Sequence, residues 1–552
     1  MIISNVDKNN MIGLRWRDEN NDRVEKKIDY KEAPPYFYIR AGERELKQIH
    51  FKDYGNRFTV DLSYTRDGSV SLDGLPLKKV TWNPPKPGYM RTLRNEWDKT
   101  YEADVAYHYR YAIDNLTDMP EYKLKKWYWD LEWQQGGEHN DAITCISLYD
   151  NYLDLPVVFY WTPNGLITTD KSNRYVHFNS EKEMLSHFLF LIDEQDPDML
   201  IAWFGSKFDL PVLIKRLHCN GLDPRKLSPY GDVKGVYFNE GIQLSKNVDK
   251  YSPIEQPIRG RLILNLDLAF ERQWNDAQRG TLPSLALDYI AETVLGEKKL
   301  TSEKFPDKNE FFQRAWLEDL ETYLEYALKD VELIVRIDEE NYTSEAVIAL
   351  QRLLKAPFDA CFYASNMGGI YFMRNATWKA PTGEHGDKVE YSGAMIYDPA
   401  EEGTNGLHLG VAAFDFAGLY PSMMIARNIS WETKSNEETE FGVNILTPRD
   451  FSIEEEFDMK FYKTDKLGLL PKAVLELKEL RNEYKKNMKN ASSKEEHSKW
   501  NNNQMAVKRL MASFYGVVGY QGFGWADIDL AASITASARE AIREAAFKVM
   551  EL

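Results

Sequence analysis

Two carboxylates sit one residue apart in the stretch WYWDLEW, at Asp130 and Glu132. The period-two alternation of a strand puts Trp127, Trp129, Leu131 and Trp133 on one face and Tyr128, Asp130 and Glu132 on the other. The apolar face anchors such a strand. The two like charges then point into one space, which is costly unless a cation binds them. An ordinary half-exposed strand would show the same pattern. Further on, DPDMLIAWFGSKFDLPVLIKR places Asp209 at the start of an apolar helical run, and YLEYALKD sets Tyr326 and Asp330 four apart on one helix face. Three carboxylate stations and a tyrosine are the equipment for two-metal phosphodiester hydrolysis. Carboxylate oxygens suit Mg2+ or Mn2+, two ions per site. One ion activates water, the other stabilises the leaving 3′ oxygen, and a tyrosine hydroxyl can orient the nucleophile.

A second set follows. In FDFAGLYPSMMIARNIS, apolar residues precede Asp415, so a buried strand is expected with the aspartate emerging at its end; a capping Asp in a strand-end turn reads the same way. Arg481 and Lys485 lie four apart on one face of the helical pattern PKAVLELKELRNEYKKNMKN, and Lys508 lies on a second pattern, KWNNNQMAVKRLMASFYG. A guanidinium fork and two ammonium groups could clamp a triphosphate; singly, each reads as a solvated surface residue. In EYSGAMIYDP, Tyr391, Gly393 and Ala394 suit close approach to a phosphate backbone, or a plain turn.

Elements able to position these residues can be read from the rest of the chain. Its 552 residues are too many for one core and predict three or four domains. Residues 1 to about 105 read as short strands and turns, as in APPYFYIRAG and RFTVDLSYTRDGSVSLDG. From WYWDLEW onward, strands (ITCISLYD, PVVFYW) alternate with helices (EKEMLSHFLFLIDEQ), which predicts an α/β domain with a mixed sheet, running to the long helix LEDLETYLEYALKDVELIVRIDEEN. GAMIYDPAEEGTNGLHLGVAAFDFAGLYPS reads as strand, turn, strand. Two helical patterns then form an expected antiparallel hairpin with ASSKEEH at its tip. The net charge is −17, yet residues 463–509 carry 12 basic and 6 acidic side chains, a local reversal that fits a nucleic-acid groove on an acidic body. Three scattered cysteines, Cys145, Cys219 and Cys361, predict neither a disulfide framework nor a zinc site, and a reducing compartment. MIISNVDKNN has no signal-peptide pattern and no apolar run is long enough to cross a membrane.

In order and context, Asp130, Glu132, Asp209, Tyr326 and Asp330 resemble the proofreading 3′–5′ exonuclease domain of family B DNA polymerases. The segment SLALDYIAETVLGEKKL, Ser284 to Leu300, resembles that family between its second and third exonuclease motifs. AWFGSKFD departs from it, with Phe204 and Lys207 where an asparagine is usual. FDFAGLYPSMMIARNIS resembles motif A. By that resemblance Asp415 binds both catalytic metals with help from the Phe416 carbonyl, Leu419 lines the nucleotide site, and Tyr420 is the steric gate against a ribose 2′-hydroxyl. LGLLPKAVLELKELRNEYK and KRLMASFYG resemble the fingers and motif B, with Arg481, Lys485 and Lys508 on the triphosphate and Tyr515 and Gly516 against the nascent base pair. Gly418 and Ala512 depart from the family's serine and asparagine. Tyr391 and Gly393 resemble the loop that holds template between the two active sites.

The resemblance implies an N-terminal mixed domain over 1–105 with a returning segment near 336–385, and an RNase H-like exonuclease domain over 106–335. It further implies a partial palm over 386–466 and 517–552, and helical-hairpin fingers over 467–516, without a thumb. Motif C, a Y-G-D-T-D-S hairpin, is not found after Gly516; Asp527 and Asp529 precede a helix instead of occupying that hairpin. The expected function is templated 5′–3′ synthesis together with a C-terminal fragment carrying motif C and the thumb, in a split or truncated polymerase, plus metal-dependent proofreading. Expected partners are primer-template DNA, deoxynucleoside triphosphates, that fragment, and through it a sliding clamp, with no membrane. The expected location is cytoplasmic, at a nucleoid or in the host cytoplasm of a virus, and not secreted. A stand-alone 3′–5′ exonuclease with a vestigial polymerase half and a non-catalytic DNA-binding scaffold are the alternatives.

Overall fold

WYWDLEW forms a strand, Lys126–Trp133, in a six-stranded mixed sheet. In this computed structural model, residues 1–6, 11–53, 56–134, 136, 138–274, 280–383, 390–395, 405–450 and 456–551 are described. They fall into two units, Met1–Ala33 with Leu116–Phe362, and Pro34–Asn115 with Tyr363–Leu552.

In the first unit the sheet order is Tyr175–Phe178, Leu155–Trp161, Ile143–Asp150, Lys126–Trp133, Met199–Ala202 and Leu262–Asn265. The middle pairs are antiparallel and the outer ones parallel. The expected alternation is realised: Trp127, Trp129 and Leu131 are buried in one core with Phe188, Leu213 and Ile214. The opposite face, with Tyr128, Asp130 and Glu132, looks towards the helix Leu320–Asn341, whose buried positions recur at helical spacing through Leu320, Tyr323, Leu324, Ala327, Val331 and Ile334. The strand Met199–Ala202 pairs with Lys126, Trp127 and Tyr128 only, so beyond Tyr128 that edge is open to side chains. A separate antiparallel sheet of Ile2–Val6, Met11–Arg17 and Arg23–Ile28 belongs to the same unit. It is tied down by ion pairs of Arg15, Arg17 and Arg23 with Asp196 and Asp198.

The second unit holds a four-stranded antiparallel sheet in the order Phe37–Arg40, Leu77–Asn83, Asn56–Thr65, Gln48–Asp53. Residues 1–105 therefore supply two separate sheets, divided between the units at residue 33, where one N-terminal domain was expected. The expected returning segment divides likewise. Trp378–Lys379 pairs in parallel with Val70–Ser71, whereas residues 336–362 stay with the first unit.

The helical hairpin is present as Leu469–Lys489 and Lys494–Val518. Arg481 against Gln504 and Tyr484 against Trp500 give the antiparallel register. Its tip is only Asn490 to Ser493. The Ser493 side chain accepts the Glu496 N–H, and the Glu496 carboxylate accepts from Ser492, a capping box that draws the KEEH part of the expected tip into the helix.

The strand expected before Asp415 is not formed. Residues 405–416 have no regular structure, and Leu407, Leu409, Val411 and Phe414 are 74% to 90% exposed. A strand exists only where its N–H and C=O groups pair with a neighbour, and among the described residues no strand lies beside this segment. The middle of the expected strand-turn-strand, residues 396–404, lies outside the described residues. No described helix is long and apolar enough to cross a membrane.

Candidate functional site

Asp130, Glu132 and Asp330 each bring a carboxylate oxygen within 4.8 Å of the others. The first two are half-buried on the strand Lys126–Trp133 and the third is buried on the helix Leu320–Asn341. Asp209 stands beside them as the first residue of the helix Asp209–Cys219. Its Oδ1 accepts the N–H of Leu131, between the two strand carboxylates, at 3.2 Å, taking the place on the open edge that a paired strand would occupy. The chain reaches Asp209 through a tight loop. Asp267 accepts the Phe204 N–H and Asn265 the Ser206 N–H. Phe204 is held at φ 57°, a region bulky side chains seldom adopt. A Cβ on Gly205 would stand 2.5 Å from the Cβ of Ala202, so only glycine fits there.

A half-buried lysine faces these carboxylates, and the sequence reading had not singled it out. Lys299 Nζ lies 2.5 Å from Asp330 Oδ2 and donates to the Tyr326 hydroxyl at 3.2 Å. The adjacent Lys298 points outward and pairs with Glu292. In an extended stretch neighbouring side chains face opposite ways, so EKKL held the signal but not which lysine turns inward. Asp288 fixes the choice by accepting the Lys299 N–H.

Crowding of like charge sets the electrostatics. Burial and then the Asp330 charge push Asp130 up to about 7, against the pull of Lys299. Burial and the charges of Asp130 and Asp330 hold Glu132 well above the ordinary carboxylate range. Burial and Asp130 do the same to Asp209, opposed by the Leu131 N–H. Burial raises Asp330, with Lys299 opposing. Burial and Asp330 raise Tyr326, which keeps its proton. The carboxylates thus lack positive charge. Asp330 Oδ1 is buried with no hydrogen-bond partner, as an oxygen reserved for a cation would be. An all-oxygen donor set of this kind fits Mg2+ or Mn2+.

In the second unit, Asp415 and Phe416 are exposed on irregular chain. Among the described residues Asp415 belongs to no group of three or more metal-ligating side chains. Gly418, at φ 73°, turns the chain into the helix Leu419–Ala426, which carries Leu419 and Tyr420. Tyr420 stacks on Tyr515 with ring centroids 4.1 Å apart. Burial and the neighbouring hydroxyls of Tyr391 and Tyr420 push Tyr515 up. Tyr391 also packs on Gly519, where a Cβ would come 2.3 Å from its hydroxyl oxygen. The loop after Tyr391 is pinned by the buried Arg539, which donates to the carbonyls of Ser392 and Gly393. Three tyrosines far apart in sequence are thereby gathered together. On the hairpin, the charge of Arg481, then burial and the charges of Lys489 and Lys508, lower Lys485, so Arg481 and Lys508 each lie within electrostatic reach of Lys485. Gly516 is exposed with open space where a side chain would be.

Residues 363–551 match DNA polymerase family B, and residues 159–275 match the exonuclease domain of DNA polymerase family B. The chain is 28% identical over 470 residues to a DNA polymerase of Pyrococcus glycovorans, covering 80% of this chain and 53% of that protein. It is 28% identical over 546 residues to a DNA polymerase of Thermococcus gorgonarius, covering 94% of this chain and 64% of that one. It spans between half and two thirds of the length of these curated relatives. The solved family B DNA polymerase of the hyperthermophilic archaeon Pyrobaculum calidifontis shares its fold, with a TM-score of 0.71 at 18% identity, covering 100% of this chain and 71% of that one.

Proposed function

We propose that this chain, a member of the family B DNA polymerases, removes nucleotides from the 3′ end of single-stranded DNA at the centre built from Asp130, Glu132, Asp209 and Asp330. The observation that carries this is the approach of three carboxylates within 4.8 Å around a buried, unpartnered Asp330 oxygen. Asp130, Glu132 and Asp330 would hold the cations, with Asp209 oriented beside them by the Leu131 N–H. Bound Mg2+ or Mn2+ supplies the positive charge that favours attack of water and departure of the 3′ oxygen. Tyr326 accepts from Lys299 and keeps its own proton, which it can turn to the attacking water to orient it. The test is hydrolysis of a 5′-labelled single strand with Mg2+, wild type against Asp130→Ala. Metal-dependent shortening lost in the variant is expected; equal activity in both would refute the assignment, and none in either would favour a DNA-binding scaffold.

The second unit supports the templated synthesis of DNA from deoxynucleoside triphosphates. In this reading Asp415 and the Phe416 carbonyl hold metal, and Tyr420 on Tyr515 screens the sugar. Arg481, Lys485 and Lys508 grip the triphosphate, Leu419 and Gly516 line the nucleotide, and Tyr391 and Gly393 guide the template. The second palm carboxylate is assigned to a motif C segment with its thumb, whether joined to this chain or on a partner polypeptide that also reaches a clamp. Adding such a segment should give primer extension that Asp415→Ala abolishes; extension by the 552-residue chain alone would refute the need for it. The exposed, irregular setting of Asp415, in contrast to the gathered carboxylates of the first unit, favours a second reading in which this chain alone acts only as an exonuclease. A cytoplasmic or nucleoid location goes with either reading.

A further inference from the structure

The face of the strand Lys126–Trp133 that carries Asp130 and Glu132 meets the helix Leu320–Asn341 a second time. The Tyr128 hydroxyl donates to Asp338 Oδ2 at 2.6 Å, and both residues are buried. Asp338 is held in place from the far side, accepting the Ser344 N–H at 2.7 Å and the Ser344 hydroxyl at 2.5 Å. Lys126, on the same strand face, donates to Ser344 Oγ and Glu345. Nothing in the proposed chemistry uses these groups.

The spacings of the two meeting points agree. Eight helical residues separate Asp338 from Asp330, a rise of about 12 Å. Four strand residues separate Tyr128 from Glu132, about 13 Å. Strand and helix run antiparallel, so pinning Tyr128 to Asp338 brings Asp330 level with Asp130 and Glu132. Left to themselves, three crowded carboxylates push strand and helix apart. Tyr128 is also the last residue at which the strand Met199–Ala202 pairs with this one, so the tie acts where the ladder on that side ends.

We propose that Tyr128 and Asp338 are positioning residues that set the spacing of the metal-holding carboxylates before any cation arrives. This rests on the exonuclease reading of the centre. The tie touches no ligand and acts through the placement of two backbone elements. Its loss is therefore expected at the lower end of what outer partners of metal ligands contribute, about tenfold in metal affinity.

The test is direct Mn2+ titration of the full chain by calorimetry, counting as site binding only what Asp130→Ala removes. Tyr128→Phe keeps the buried ring and deletes the hydroxyl, and is expected to raise the Mn2+ dissociation constant about tenfold. Tyr251→Phe is the control for lost stability alone: its hydroxyl donates to the Lys234 carbonyl at 2.6 Å, and neither partner belongs to the strand or helix of the centre. It should leave Mn2+ affinity unchanged. Asp338→Asn, measured in the same way, is expected to weaken Mn2+ as Tyr128→Phe does and serves if that variant does not fold. A shift of less than about threefold in the variant measured, or an equal shift in Tyr251→Phe, overturns the inference and leaves the nuclease reading standing. Absence of Mn2+ binding to the wild type overturns both.

Discussion

Lys299→Met keeps the side chain's length and removes its charge. Lys299 Nζ lies 2.5 Å from Asp330 Oδ2, and the Asp330 side chain is 3% exposed. Removing one partner of a buried ion pair costs about 3–5 kcal/mol, because the other charge is left uncompensated. Here Asp330 can escape in part by taking up a proton, since burial already holds its carboxyl above the ordinary range. The loss is therefore set at the lower end, about 3 kcal/mol at neutral pH. At roughly 2–4 °C per kcal/mol, the first unit should melt about 6–12 °C lower in EDTA. Divalent metal should return much of this, because binding at 100 times the dissociation constant contributes about 2.7 kcal/mol. In the wild type the charge of Lys299 on Asp330 opposes a cation at the same carboxylate, so the metal-induced rise in Tm should be larger in the variant. Scanning calorimetry in EDTA and in Mn2+ measures both quantities. A variant melting within about 2 °C of wild type in EDTA, or gaining no more from Mn2+ than wild type does, would refute the reasoning.

Asp196 gives a pH dependence away from the site. Although burial raises it, the charges of Arg261, Arg15 and Arg23 bring its carboxyl down to about 2 from an ordinary 3.8. A depressed folded value means stability that is present above about pH 4 and lost as pH falls towards about 2, worth about 2 kcal/mol. Urea unfolding at pH 5 and pH 2.5 should show the wild type losing about 1.5 kcal/mol more than Asp196→Asn, since part of the contribution persists at pH 2.5; parallel losses would exclude it. Gly205→Ala drives a Cβ into that of Ala202 and should cost about 1–3 kcal/mol. Because the displaced loop carries Asp209, nuclease activity should fall further than stability at 25 °C explains. An alanine variant with wild-type unfolding midpoint and rate would show that the loop yields freely.

The legible parts were those where one local rule acts alone. Alternation in WYWDLEW placed three apolar side chains in the core and two carboxylates opposite, as found, and the four-residue step from Tyr326 to Asp330 needed only helical periodicity. The strand before Asp415 failed for the converse reason. GVAAF is apolar enough for a strand, but a strand is made by its neighbours, and the described chain offers none beside it. The hairpin tip was misplaced by a few residues because the Ser493 cap competes with the polar composition of KEEH.

The sequence by itself determined which residue types could hold metal, and that Asp130, Glu132 and Asp330 would come from a strand and a helix. Only the tertiary structure decided that they meet within 4.8 Å, that Lys299 and not Lys298 faces them, and that Tyr128 ties the strand to Asp338. The physical reason is one of range. Backbone periodicity fixes where a side chain points within its own element. The register between two elements is set by contacts separated by some 200 residues, such as Tyr128 to Asp338 at a separation of 210, and no local pattern encodes those.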